Sequence, residues 1–209
     1  MSVDPIEQLL TQPLERLRDP KFVADMVREV GLHQDPKAEA LFGKHNIPYM
    51  RVDGMLQIPE QLADALIYLS DKEIIQYLEI GTFNGLTTAF ITAYLTRFQP
   101  QFRCMTVDLT RKYNNTNPNL RIVSVLGTSD DWRGFVSDLC FIDGDHSMKW
   151  VEKDYDNVGL SARIVMFHDI LEDTKIGSHP MDVKAFWQKR KRPTSHEFTQ
   201  GGRMGIGIL

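Results

Sequence analysis

Residues 74–90 read IIQYLEIGTFNGLTTAF. An apolar run from Ile74 to Ile80 carries an acid at Glu79 and then meets Gly81. Gly85 follows in G-x-x-x-G spacing, and a helix-like stretch begins after it. Two such glycines let a backbone turn tightly and approach a ligand closely. The first N–H groups of the following helix have no partner within the helix and face outward. The stretch lacks the middle glycine of G-x-G-x-x-G and the G-K-[ST] of a phosphate-binding loop. Alone, it reads equally well as a tight strand-to-helix connection.

The sequence on either side settles the architecture. After Asp71, short apolar runs alternate with helical stretches. IIQYLEI precedes NGLTTAFITAYLTRF, and FRCMTVDL leads into the polar loop TRKYNNTNPN. LRIVSVL, SDLCFID and ARIVMFHDI read as further strands, with SMKWVEKDYDNVGL and PMDVKAFWQKRK as helices. Such alternation predicts an α/β fold, a mostly parallel sheet covered on both faces. The last two strand candidates, SHEFTQ and RMGIGIL, have no helix between them and predict an antiparallel hairpin turning at Gln200–Gly202.

Residues 1–70 have a different texture and form an N-terminal helical extension to a domain over 71–209. Ile6, Leu9, Leu10, Leu14 and Leu17 keep helical spacing, interrupted by Pro13. Lys21–Val30 and PKAEALFGKHN are further helix candidates. In MLQIPEQLADALIYLS, Pro59 suits a first helical position, and Leu62, Leu66 and Leu69 share a face. These helices are expected to cover the site or to form a homodimer contact.

The composition narrows the function. The chain has 209 residues, 42% hydrophobic and 25% charged, with net charge −4 and pI about 5.9. That balance carries no electrostatic footprint for bulk nucleic-acid binding. The basic run KRKRP reads as the solvated end of a helix. No apolar run approaches the ~20 residues of a membrane span, and no signal-peptide layout is present. A cytoplasmic protein is expected. Cys104 and Cys140 fall inside strand-like runs and read as small core residues.

In an open parallel sheet, ligands bind beyond the carboxyl ends of the strands. Here those ends carry Glu79 and Gly81, Asp108, Gly127-Thr128-Ser129, Asp143-Gly144-Asp145-His146, and His168-Asp169. Strand bodies need no such concentration of acids at one end. By the logic of dinucleotide folds, an acid ending the second strand accepts the two hydroxyls of a ribose. The glycine turn and Asp108 together favour an adenosine-containing cofactor without a pyrophosphate.

LEIGTFNGLTT, CMTVDL and LCFIDGDHSMKWVEKDYDN…ARIVMFHDI resemble the class I S-adenosylmethionine-dependent methyltransferases, in the branch with an IDGDHS-type motif related to small-molecule O-methyltransferases. The resemblance covers about Ile74 to Leu209. It implies a Rossmann-like, doubly wound, seven-stranded sheet, and a small-molecule or sugar hydroxyl as acceptor. It also implies roles. Glu79 and Gly81 line the pocket for the cofactor's methionine part, and Thr82, Phe83, Asn84 and Gly85 form its backbone cradle. Asp108 holds the ribose. Thr128 and Ser129 lie near the adenine, where the common pattern has an acid directly after the glycine; Asp130 is a substitute. Asp143 sits beside the transfer centre. In metal-dependent relatives an acid there joins two polar ligands after the fifth strand, which makes Asp143, His168 and Asp169 candidate ligands for Mg2+ or Mn2+. The histidine tilts such a set toward a transition metal. The alternative is that Asp143 only positions Asp145 or His146.

His146 also reads as a base for a substrate hydroxyl, since an imidazole titrates near neutral pH. His179 either caps the pocket or merely precedes a helix. Trp150 and Trp187 fit helix faces packed on the sheet, and Trp132 fits the adenine end or the core. Rival readings are a methyltransferase acting on nucleic acid or protein, and a cofactor-binding module without turnover. An NAD-dependent oxidoreductase is disfavoured by the glycine spacing.

Overall fold

Strand alternation decides how the molecule is layered. A computed structural model describes residues 4–30, 54–110, 113, 115–172 and 180–209. The strands are β1 (Gln76–Ile80), β2 (Arg103–Asp108), β3 (Ile122–Leu126), β4 (Ser137–Ile142), β5 (Ala162–His168), β6 (His196–Phe198) and β7 (Ile206–Ile208). They form one seven-stranded sheet in the order β3-β2-β1-β4-β5-β7-β6. The first five are parallel, and β7 runs antiparallel to both β5 and β6. The strand order reverses between β1 and β4. There the crossovers diverge to opposite faces and leave a crevice at the carboxyl edge.

Successive side chains of a strand point to opposite faces. Tyr77, Cys104, Leu139, Phe141 and Met166 enter one core, and Leu78, Ile80, Cys140, Ile142 and Phe167 the other. The second core is closed by α5 (Met148–Asn157) and α6 (Val183–Arg190) through Val151, Tyr155, Phe186 and Trp187. The first is closed by α4 (Leu86–Phe98) and by the N-terminal helices α1 (Pro5–Thr11), α2 (Pro20–Val30) and α3 (Pro59–Ser70). Leu9, Leu17, Val23, Val27, Leu62 and Leu66 share that core with Tyr77 and Phe141. The N-terminal helices are thus packed on the sheet through the same apolar cluster. Both cysteines are buried free thiols.

Local signals explain the element ends. Asp4 Oδ1 accepts the Ile6 N–H at 2.8 Å and caps α1, whose first residue is Pro5. Pro13 breaks the pattern expected over residues 6–19, leaving α1 and a separate 3-10 turn at Arg16–Arg18. Asp138 Oδ2 accepts the N–H groups of both Ile75 and Gln76 at 2.9 Å, so β1 starts at Gln76 rather than Ile74. The helix expected in PKAEALFGKHN, and His179, lie outside the described residues. Among the described residues no helix is long and apolar enough to cross a membrane.

Candidate active site

The glycine turn is wedged at the crevice. Gly81 donates its N–H to Val107 O at 2.9 Å, and Asp143 donates to Ile80 O at 2.9 Å, so the ladders continue past β1 on both sides. Gly81 has φ +98°, and a Cβ there would stand 2.2 Å from Asp143 O. Only glycine fits both constraints. Asp108 Oδ2 accepts the N–H groups of Thr82 and Phe83, each at 3.0 Å, and Oδ1 accepts the Thr110 N–H at 2.8 Å. Asn84 Oδ1 accepts the Leu86 N–H at 3.0 Å at the start of α4, and its Nδ2 donates to Gly54 O at 2.7 Å.

Beyond this turn lies a cavity of about 310 Å³. Of the residues singled out from the sequence, Gly81, Phe83, Asp108, Thr128, Ser129 and Asp143 line it. Thr82, Asn84 and Gly85 are not among the lining residues; they shape the turn. The Thr82 hydroxyl is buried against Thr106 Oγ1 at 2.6 Å.

Glu79 departs from its expected place. Its carboxyl accepts from Tyr77 Oη at 2.5 Å and Thr88 Oγ1 at 2.8 Å, inside the core beneath α4. The cause is the two-residue period. Glu79 shares its face with Tyr77, whereas Ile80 faces the cavity. Burial raises the Glu79 carboxyl to about 8 against both hydrogen bonds, so it is neutral at pH 7.

Four ionisable side chains converge where β4 and β5 end. His168 Nδ1 lies 3.2 Å from Asp143 Oδ1 and 3.4 Å from Asp169 Oδ2. His146 Nε2 faces the same two oxygens at 3.5 and 3.3 Å. Burial opposes every charge here, and opposite charge overrides it. His168 is lifted well above its ordinary value by Asp169 and Asp143, and His146 is raised by the same pair. Asp143 and Asp169 are held below the usual carboxylate range by the imidazoles, His168 foremost. Asp169 has φ +61°, a strained conformation for a non-glycine residue. The loop bearing His146 is pinned where Asp182 donates its N–H to His146 O at 2.7 Å.

Gln57, just ahead of α3, reaches this cluster. Its Nε2 donates to Asp143 Oδ2 at 3.2 Å. Gln57 Oε1, His146 Nε2 and His168 Nε2 are all buried without a hydrogen-bond partner among the described residues. Such unpaired atoms on three side chains that meet Asp143 leave room for a further polar group, since buried polar atoms are otherwise paired. Asp143, His146 and Asp169 each offer a ligand atom, all within 4.8 Å of one another. His168 Nδ1 faces the same two carboxylate oxygens. That spread and donor chemistry fit a divalent cation.

A methyltransferase-domain family model matches residues 78–170, the span from β1 to the end of β5. That span, a little under half of the chain, is similar to a methyltransferase domain. No curated protein matches the sequence. Among solved structures, the chain is similar to the O-methyltransferase TomG of Streptomyces achromogenes, involved in tomaymycin synthesis and solved with SAM. Identity is 16%, covering 85% of this chain and 87% of that one, with TM-score 0.51. An O-methyltransferase from Bacillus cereus solved with SAH is similar at 15% identity, covering 97% and 93%, with TM-score 0.51. At these identities the likeness is one of fold.

Two residues at or beside the cavity, Gln57 and Asp154, were left unassigned by sequence reading, and a third, Trp150, was expected on a helix face packed on the sheet but lines the cavity. Gln57 stands just ahead of Pro59 in the stretch read as a helix, where no signal marks it. Trp150 and Asp154 both line the cavity. Their i, i+4 spacing on α5 places them on one face, a signal that was present in the sequence. Trp132 instead packs edge-on against Phe135, at 5.9 Å between ring centroids.

Proposed function

We propose that this enzyme transfers the methyl group of S-adenosylmethionine to an oxygen of a small molecule, assisted by a divalent cation. The convergence of His146, His168 and Asp169 on Asp143, which itself lines the cavity, carries this reading. Gly81 and Phe83 offer backbone to the methionine part, Asp108 faces the ribose, and Thr128 and Ser129 stand at the adenine end. The cofactor, when bound, supplies an electrophilic methyl group on a sulfonium. His146, the more exposed of the two histidines, is placed to take the proton of an acceptor hydroxyl as its oxygen gains the methyl. Asp143 and Asp169 stabilise the resulting imidazolium and keep its ring oriented. Asp143, His168 and Asp169 would hold the cation, whose Lewis acidity lowers the pKa of the hydroxyl. Two carboxylate oxygens and an imidazole suit Mn2+ better than Mg2+.

A second reading has its own support. The charge on His168, raised by both carboxylates, balances the cluster without a metal. Mn2+ titration followed by electron paramagnetic resonance separates the two: saturable binding lost in Asp169→Ala supports the cation, and no binding leaves His168 as the resident charge.

Calorimetry with S-adenosylmethionine tests the cofactor. Binding by wild type that is abolished in Asp108→Ala is expected, and a wild type that does not bind overturns the proposal. Conversion to S-adenosylhomocysteine with phenolic and sugar acceptors tests the acceptor class. Turnover with RNA or protein alone would overturn that part.

A further inference from the structure

The adenine end of the cavity contains a carboxylate that the order of strand ends does not reveal. Three acids stand near the end of β3. Asp131 Oδ2 accepts the Thr128 N–H at 2.9 Å and closes the turn. Asp130, the substitute suggested by sequence, pairs with Lys153 and with Arg133 at 3.3 Å, and accepts from Asn157 Nδ2 at 3.1 Å. It is therefore committed outside the cavity, and it does not line it.

Asp154 differs on each count. It lines the cavity from α5 and is only 5% exposed. Its Oδ1 accepts from Ser129 Oγ at 2.6 Å, and that oxygen in turn accepts from Asn157 Nδ2 at 3.0 Å. The chain Asn157–Ser129–Asp154 fixes the plane of the carboxylate. No protein donor is hydrogen-bonded to Oδ2 among the described residues. A Cβ on Gly144 would stand 3.7 Å from that oxygen and 3.5 Å from Ile80 Cγ2, so the missing side chain leaves the approach to Oδ2 open. Trp150, one turn earlier on the same helix, brings an aromatic ring to the same cavity.

We infer that Asp154 reads the exocyclic amino group of the cofactor's adenine: Oδ2 accepts one N–H, while Ser129 and Asn157 hold the carboxylate in place. The inference rests on the reading that S-adenosylmethionine occupies this cavity. An ionised carboxylate only accepts hydrogen bonds. It therefore favours a 6-amino purine and opposes a 6-oxo purine, whose oxygen would face it. Burial raises the Asp154 carboxyl to about 6, so at pH 8 it is ionised and the discrimination is fully developed.

The test compares S-adenosylhomocysteine with its 6-oxo analogue, S-inosylhomocysteine, by calorimetry at pH 8. Wild type is expected to favour the amino ligand by about 30-fold, the scale of one buried charged hydrogen bond against an unpaired one. Asp154→Asn keeps an oxygen for Ser129 and turns an NH2 toward the ligand. Its affinity for S-adenosylhomocysteine falls at least about tenfold, while the 6-oxo analogue binds no worse, so the preference collapses or reverses. Ser129→Ala, which frees Oδ1, gives a partial loss of preference and carries the test should Asp154→Asn fail to fold. An equal weakening of both ligands, or a preference left intact in both variants, overturns the role of Asp154 alone. A wild type that binds neither ligand overturns the cofactor reading as well.

Discussion

Asp108 braces the turn that precedes it in sequence: its Oδ2 receives the N–H groups of both Thr82 and Phe83 at 3.0 Å. The acid ending β2 therefore shapes the glycine turn after β1 as well as lining the cavity. Its other oxygen accepts the Thr110 N–H at 2.8 Å. Each oxygen thus meets backbone donors. In Asp108→Asn the amide NH2 must face one of those donors, whichever way it is turned. We expect a loss of about 1–3 kcal/mol in stability and a more than tenfold loss of S-adenosylhomocysteine affinity. Urea unfolding and calorimetry on the same sample measure both.

Gly81→Ala is expected to be worse. The added Cβ would sit 2.2 Å from the Asp143 carbonyl oxygen, at a φ of +98° that alanine rarely adopts. Neither the backbone of β1 nor that of β4 can yield without shifting a ladder. The expected cost exceeds about 3 kcal/mol, in the class of backbone strain combined with overpacking. Denaturant melting reports it, and a shift below about 1 kcal/mol would contradict the wedged geometry.

Much of this was legible in the sequence. The alternation of strand-like and helical runs after Asp71 specifies the parallel sheet, because each strand is apolar on both faces and each helix on one. The polar strand ends locate the crevice and name Asp108, Asp143, His146, His168 and Asp169. What was not legible depended on direction rather than identity. Glu79 belongs to the motif, yet the two-residue period turns it into the core beside Tyr77. Asp130 has the right chemistry, but Lys153 on the next helix draws it outward. Gln57 reaches Asp143 from a segment far away in sequence, and only tertiary packing brings them together.

Glu79 predicts a pH dependence. Its carboxyl is ordinarily near 4.5 and is raised to about 8 in the folded protein by burial. Between those values the native state binds more protons than the unfolded chain, so stability falls as pH rises. The neutral carboxyl's stabilising effect is whole below about 4.5 and gone above about 8. The total is on the order of 3–5 kcal/mol. Glu79→Gln retains a neutral polar group and removes this titration. Its denaturant midpoint is expected to vary less between pH 5 and 9 than that of wild type, and to exceed it at the alkaline end. Parallel curves for the two proteins would show that Glu79 is ionised at neutral pH.

Gln57 predicts a separation of binding from turnover. It is 2% exposed, donates to Asp143 Oδ2 at 3.2 Å and does not line the cavity. Gln57→Leu preserves most of the volume and removes the amide. Asp143 then keeps its imidazole partners but loses the donor that fixes the rotation of its carboxylate. Losing one hydrogen bond to a charged group costs about 1.5–3 kcal/mol where it acts. We expect methyl transfer to slow by about tenfold or more, with S-adenosylhomocysteine affinity within about twofold of wild type. Gln57→Glu places a second carboxylate against Asp143, and repulsion between them raises the Asp143 pKa. Its acidic limb of activity is expected to move to higher pH, an effect that mere loosening of the N-terminal helices would not produce. Single-turnover rates across a pH series for the three proteins check both outcomes. A shared loss of cofactor affinity in the two variants would instead assign Gln57 to the packing of the N-terminal segment.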